Sequence, residues 1–457
     1  MDDALRAENE RLRALVDVQA AQIEKLSALV EELRRKQHRP HAPFSKGPPK
    51  PDPNPPGRKS GDDYGTKAFR SVPPRIDEVH AAPLPDQCPH CGGGVEFVKT
   101  AEQFQTEIPR IEPVYRQFNV AVGCCSCCKK RVQGRHPLQT SDALGAAKSQ
   151  MGSNAQALAT RLNKHYGLSH GKATGLLAEL CRVKLSRGAS AQIMLRVAER
   201  CENAHNEIQI AVRLSRYCVP DETGWKVGGA LNWLHVFVTP LATLYLIRGS
   251  RGFDVATEAL GENYSGALVH DGWAPYDRFK SATHGQCIAH LIRRCNHLLE
   301  TAMTGAARFP EAVKALLQEG LSLRDARDAG EIPLELAQAE AARLQDDLYE
   351  IERCAKRNPD NERFARFLHR HLSEIFAFLK HPAMDATNWR AEQAIRPAVV
   401  NRKVWGGNRT PAGAHAQGVL MSVLRTATQQ GKHALEFLVQ TLRAPPGQAP
   451  RLIATTT

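Results

Sequence analysis

The chain has 457 residues, 42% of them hydrophobic, and a formal net charge of +13. That length implies several domains, and that apolar fraction supplies a sizeable core. The longest apolar stretch, Leu231 to Ile247, is broken by Asn232, His235 and Pro240. It falls short of the roughly 20 residues a membrane span needs, which argues against a membrane-spanning helix.

The positive balance favours a polyanionic partner, nucleic acid first. The charged start, MDDALRAENE, excludes a signal peptide. Twelve cysteines in a chain of cytosolic character point to metal binding, not disulfides.

Residues 4–36 read as a coiled coil. Asn9, Val16, Ile23 and Val30 take position a; Leu5, Leu12, Gln19, Leu26 and Leu33 take position d. β-branched residues at a with Leu at d favour a parallel two-stranded pairing, hence a homodimer or a higher assembly. An amphipathic helix packed on its own chain is the alternative. Residues 38–60 are rich in proline and carry Arg39, Lys46, Lys50, Arg58 and Lys59. Their composition predicts a disordered basic linker.

Residues 61–138 read as a zinc ribbon. Cys88-Pro-His-Cys91 is followed by Cys124-Cys125-Ser-Cys127-Cys128, and two CxxC pairs at this separation suit a tetrahedral structural zinc site. Cys88 and Cys91 form one half. Cys125 with Cys128 is the preferred second half, and Cys124 with Cys127 the alternative register. The runs VEFV, YRQF and VAV between them predict short strands. A redox CxxC is the competing function, but it normally comes singly in a thioredoxin-like context.

Residues 139–212 read as helical. Two amphipathic pieces, split by Val-Lys-Leu-Ser-Arg-Gly, allow a helix-turn-helix with Ser190 to Arg200 in a DNA groove; a plain helical connector fits as well. The catalytic region is placed at 213–398. Strands are expected at Tyr217 to Trp225, LNWLHVFV, ATLYLI and Ala267 to Asp271. Helices are expected from Phe253 to Leu260 and from Ile288 to Leu299. Three consecutive strands, a helix and another strand is the ribonuclease-H-like order.

Three acidic residues stand out there: Asp221 in DETGW, Asp271 in VHDGW and Glu392 in NWRAEQAIRP. Strand alternation puts Asp221 and Thr223 on one face with Glu222 opposite, and puts Val269 with Asp271. Two carboxylates on neighbouring strands and one on a covering helix can hold two divalent cations about 4 Å apart. Between them, about 300–384 reads as a helical insertion. Thr387 or Asn388 is expected to cap the helix carrying Glu392, and Pro397 to end or kink it. His284, Cys287 and His290 cluster, but no second ligand pair is near. A packed or phosphate-facing histidine fits better than a metal. Residues 399–457 form a C-terminal region.

At DETGW, VHDGW, NWRAEQAIRP and HPLQTSDALGAAK the chain resembles the insertion sequence 66 family of bacterial transposases. The resemblance runs from the coiled coil to about residue 440. It implies a multidomain α/β protein with a ribonuclease-H-like catalytic core and helical insertion, preceded by coiled coil, zinc ribbon and helical DNA-binding region. Asp221, Asp271 and Glu392 match the family's acidic triad, which implies Mg²⁺ or Mn²⁺ beside the structural Zn²⁺. The stretch VNRKVWGGNR is also similar to the family. Arg396, Arg402, Lys403 and Arg409 then hold DNA backbone, with a solvated basic face as the alternative.

The implied activity cuts the ends of an insertion sequence and joins the 3′-hydroxyls to target DNA. It operates in the cytoplasm at the nucleoid, with accessory transposition proteins as further partners. The rival readings are a non-catalytic zinc-containing DNA-binding regulator and a structure-selective nuclease of the same fold.

Overall fold

The computed structural model describes residues 71–144, 150–302, 305–354, 356–445 and 448–453, together with Gln19, Gln22, Ile23 and Leu26. The chain divides into two compact units, residues 1–108 and 109–457. In the first, the expected coiled coil lies outside the described residues except at those four positions. They are helical, and Ile23 and Leu26 are exposed. The linker 38–60 lies outside altogether.

The expected ribbon strands are mostly missing. VEFV forms no strand, and neither does YRQF in the second unit. Phe97, Val98 and Tyr115 are exposed. β propensity holds a strand only when a neighbour packs against its face. The VAV run contributes Val122 alone to β1 (Val122–Cys124), which pairs antiparallel with β2 (Arg131–Gln133).

Four helices follow in the second unit: α1 (Ser153–Lys164), α2 (His170–Cys181), α3 (Arg187–Arg200) and α4 (Glu202–Arg213). The break between α2 and α3 falls where the sequence puts it. Arg182 turns left-handed at φ 54°, and the Ser186 hydroxyl accepts from the Ala189 N–H to start α3. α3 buries Ser190, Ile193, Met194, Val197 and Ala198, the i, i+3, i+4, i+7, i+8 stripe of a packed helix.

A five-stranded sheet forms the centre of this unit among the described residues: β3 (Tyr217–Val227), β4 (Ala230–Val238), β5 (Thr243–Arg248), β6 (Ala267–His270) and β7 (Thr283–Gln286). Its order is β5-β4-β3-β6-β7. The first three strands run antiparallel in sequence, whereas β6 pairs parallel with β3 and β7 parallel with β6. The crossover from β5 to β6 carries α5 (Phe253–Leu260). β7 escaped the sequence reading because THGQ is short and polar.

Alternation along the strands divides two cores. Cys218, Phe237, Leu244, Leu246 and Leu268 face one, shared with α1 to α5. Tyr217, Val219, Trp225, Val236, Tyr245 and Val269 face the other. That second core is completed by α6 (Ile288–Glu300), α7 (Arg308–Asp328), α8 (Leu334–Arg353), α9 (Pro359–Arg370), and the single turns α10 (Leu372–Ile375) and α11 (Ala377–Lys380). α7 to α11 are the expected helical insertion, and they bury Val313, Leu317, Leu344, Leu348, Phe364 and Leu368 against it.

Three further helices close the unit: α12 (Trp389–Trp405), α13 (Pro411–Gln429) and α14 (Ala434–Arg443). Pro397 does not end α12, which continues past it to Trp405. Pro397 and Gln393 are both exposed, so the carbonyl that loses its donor faces water. The helix stops at Gly406, left-handed at φ 81°. α12 therefore runs straight through the boundary drawn at 398.

α13 covers the edge strand β5. Ser422 accepts from the Tyr245 N–H at 2.8 Å and Thr426 from the Thr243 N–H at 3.0 Å. Those donors would otherwise be an open template for another strand. Among the described residues no helix is long and apolar enough to cross a membrane.

Candidate active site

Asp221 and Asp271 meet through sheet register. β3 and β6 run parallel with Cys218 opposite Leu268. Three residues further along each chain lie Asp221, in the part of β3 that outruns its partner, and Asp271, the residue after β6. The carboxyl ends of parallel strands are where α/β sheets present their chemistry. Both side chains share parity with Val219 and Val269, so they face the core built with α6 and α12.

Glu392 arrives on the first turn of α12. Ala391, Ala394 and Ala398 are fully buried, which lets the helix backbone approach β3 and β4 closely. The Tyr245 hydroxyl, buried in the sheet, donates to the Ala394 carbonyl at 2.7 Å. The entry to the helix is pinned as well. The Ile288 N–H donates to the Ala386 carbonyl at 3.0 Å, and the Tyr217 hydroxyl to the Asp385 carboxylate at 2.8 Å. Asn388 sits at the N-cap, but its side chain makes no capping bond. It accepts from the Cys287 thiol at 3.2 Å instead. The start of α12 is thereby fixed to the end of β7.

The electrostatics record the gathering of carboxylates. Burial, followed by the charges of Glu222, Asp271 and Glu392, pushes the Asp221 carboxyl up to about 8. Burial and Asp271 also raise Glu222, opposed by Arg251 and Tyr276. Among the described residues no group of three or more His, Cys, Asp and Glu side chains stands ready-made as a metal cage. What fits a hard divalent cation is the donor chemistry of Asp221, Asp271 and Glu392: crowded carboxylates with no Lys or Arg side chain in hydrogen-bonding contact among the described residues. The Glu392 carboxylate lies 3.8 Å from Arg293 and 3.9 Å from His290, both beyond hydrogen-bonding distance.

A profile of the Transposase IS66 family matches residues 148–416, well over half of the chain. The chain belongs to that family. No curated protein matches it.

Glu222 lies on the other face of β3 of this family member, as alternation requires, and it has a structural partner set the sequence did not reveal. Its side chain is 3% exposed. One oxygen accepts from Arg251 at 2.7 Å and the other from the Tyr276 hydroxyl at 2.9 Å. Arg251 lies over the Trp273 ring at 3.9 Å and the Trp233 ring at 4.8 Å. The Trp273 backbone N–H in turn donates to the Asp271 carboxylate, while its indole N–H donates to the Arg251 carbonyl. The acidic residue beside Asp221 thus anchors the loop that follows Asp271. Only the pairing of DE with the later GW hinted at this.

The basic residues expected to hold DNA divide. Arg402 is half-buried and donates to the Gly224 carbonyl and the Thr223 hydroxyl, so it braces α12 against β3. Arg396, Lys403 and Arg409 are exposed. Of the histidine cluster, His284 bonds His270 at 3.1 Å and the Phe279 carbonyl at 2.9 Å, which makes it a packed residue. His290 is different. It reaches the acidic site, where burial and Arg293 hold its pKa down against Asp271 and Glu392.

Each CxxC forms a turn of the same design. The Cys88 N–H donates to the Gly93 carbonyl and the Gly92 N–H to the Cys88 carbonyl, both at 2.8 Å. The Cys125 N–H donates to the Lys130 carbonyl at 2.9 Å and the Lys129 N–H to the Cys125 carbonyl at 3.0 Å. Gly92 and Lys129, at matching positions, have φ of 75° and 55°. Backbone hydrogen bonds, from His90 and Cys91 in one turn and from Cys128 and Cys127 in the other, favour the thiolates of Cys88 and Cys125. Cys124 instead turns its thiol to the Lys129 carbonyl at 3.0 Å.

Proposed function

We propose that the chain cuts the ends of an insertion sequence and joins the freed 3′-hydroxyls to target DNA, with Asp221, Asp271 and Glu392 as the catalytic carboxylates. The observation that carries this is the convergence of the three on one face of the sheet. Burial there makes Asp221 hold its proton unless a cation replaces it. The order β5-β4-β3-β6-β7, with three antiparallel strands and two parallel ones, supports a ribonuclease-H-like core.

In the first step a water oxygen forms a bond to phosphorus and the P–O3′ bond breaks, leaving a 3′-hydroxyl and a 5′-phosphate. In the second, that 3′-oxygen attacks a target phosphodiester and expels the target 3′-oxygen; the proton lost by the attacking hydroxyl is matched by one the expelled oxygen takes up through solvent, so one phosphodiester replaces another. Mg²⁺ or Mn²⁺ held by Asp221, Asp271 and Glu392 would supply Lewis acidity at phosphorus and activate the attacking oxygen. The protein's own share is positioning. Asp221 and Asp271 are set by strand register, Glu392 by the anchored first turn of α12, and the Asp271 loop by Glu222, Arg251 and Trp273.

The matched turns at Cys88–Cys91 and Cys125–Cys128 support a structural zinc site on those four thiolates, in preference to the Cys124–Cys127 register. The homodimer, accessory partners and a cytoplasmic, nucleoid-associated location belong to the same reading. Alanine at Asp271 should abolish cleavage and joining of element-end DNA while leaving binding intact. Unchanged cleavage would return the carboxylates to a structural role. Cleavage without any joined product would leave a nuclease of the same fold.

A further inference from the structure

α6 presents four nitrogen-rich side chains along one side: His290, Arg293, Arg294 and His297, spaced i, i+3, i+4, i+7. They line an open cleft of about 550 Å³, with Glu300 at the C-terminal end of the helix. The cleft adjoins the acidic site twice. At one side His290 and Arg293 stand 3.9 and 3.8 Å from Glu392. At the other, Arg294 lies over the rings of Phe364 and Phe367 at 4.6 and 5.2 Å. Phe367 also packs beside Gly272, the residue after Asp271.

We propose that this cleft binds the backbone of the DNA strand that runs into the active site, with Arg293 and Arg294 as its phosphate contacts and His290 at the catalytic end. The proposal rests on the phosphodiester-transfer reading above and gives the helical insertion a part in it. α9 supplies the aromatic wall that holds the Arg294 guanidinium before DNA arrives, so little rotamer entropy is lost on binding. Arg293 is exposed, and its approach to Glu392 is too long for a hydrogen bond, so its donors are available to a phosphate. The seven steps from His290 to His297 rise about 10 Å. At a rise of about 3.4 Å per phosphate along one strand, that matches roughly three phosphates.

The test is binding of a labelled element-end duplex across a KCl series without divalent metal, beside a Mg²⁺ cleavage assay. Wild type is compared with Arg293→Ala, Arg294→Gln and, as an exposed control on α8, Arg353→Ala. Arg293→Ala should weaken binding about tenfold, the size of one charge-assisted hydrogen bond. It should also lower the slope of log affinity against log salt by about 0.9. Arg294→Gln should do the same, and Arg353→Ala should change neither quantity. If wild type cleaves but Arg293→Ala binds with the wild-type slope, the cleft is not the DNA path and the active-site reading survives. If wild type neither binds nor cleaves, both fall.

Discussion

The Asp221 carboxyl is where the chemistry of the site is most exposed to measurement. Its folded pKa, about 8, lies above the ordinary carboxylate value, first because it is buried and then because Glu222, Asp271 and Glu392 crowd it. Between roughly pH 4 and 8 the folded protein keeps this proton while the unfolded chain has lost it. The contribution to stability is therefore full below about pH 4 and disappears as pH rises through 8. A divalent cation relieves the same repulsion. Addition of Mg²⁺ should accordingly raise the melting temperature more at pH 8.5 than at pH 6.5, and Asp221→Asn should erase the difference. Equal shifts at both pH values would contradict a metal role for this residue.

At this scale the sequence was informative where residue type and parity sufficed. Asp221, Asp271 and Thr223 could be placed on faces by counting along a strand. Glu222 could be assigned to the opposite face, but not its partners, because Arg251 and Tyr276 lie 29 and 54 positions away in sequence. His290 looked unusual in the sequence, yet only the packing of α6 brings it to Glu392.

Among the elements, the segment after β6 is the most constrained. Gly272 has φ 85°, and a Cβ there would lie 2.6 Å from the Phe367 ring and 3.0 Å from the Gln286 side chain. Gly272→Ala should cost about 1–3 kcal/mol in unfolding free energy, from backbone strain and contact together. It should also reduce cleavage, because the Asp271 loop must shift. Gly175→Ala is the contrasting case. It lies on the exposed side of α2 with nothing within 4 Å of the new methyl, and should stabilise by up to about 1 kcal/mol. Denaturant midpoints of the two variants check both signs.

Strands and helices with strong periodicity were legible to within a few residues, as at Phe253–Leu260, where expected and observed bounds agree. Three elements were not. VEFV and YRQF have the composition of strands, but among the described residues no strand pairs with them and they stay largely exposed. THGQ has almost no strand character, yet its backbone is claimed by β6. Pro397 reads as a helix end, but its position on the solvent side of α12 costs the helix little.

For the whole molecule, charge and cysteine spacing make separate demands. If the matched turns hold one ion through Cys88, Cys91, Cys125 and Cys128, purified protein should contain one equivalent of zinc. A Cys125→Ser variant should lose it, whereas Cys124→Ser should keep it. Retention by Cys125→Ser with loss by Cys124→Ser would establish the other register. The broad order of the chain could be read from sequence, because it depends on composition and on motifs in succession. The closure of the site could not. It requires α12 to return across the helical insertion and lock to β7 through Cys287 and Asn388, a contact spanning 101 residues.

The most direct test of the central claim is Mg²⁺-dependent cleavage of DNA carrying the element's own flanking end sequences, with wild type beside Asp221→Ala. Cleavage by wild type alone is the predicted result. Specific binding with no cleavage by either protein would contradict the account and point to an accessory or inactive chain.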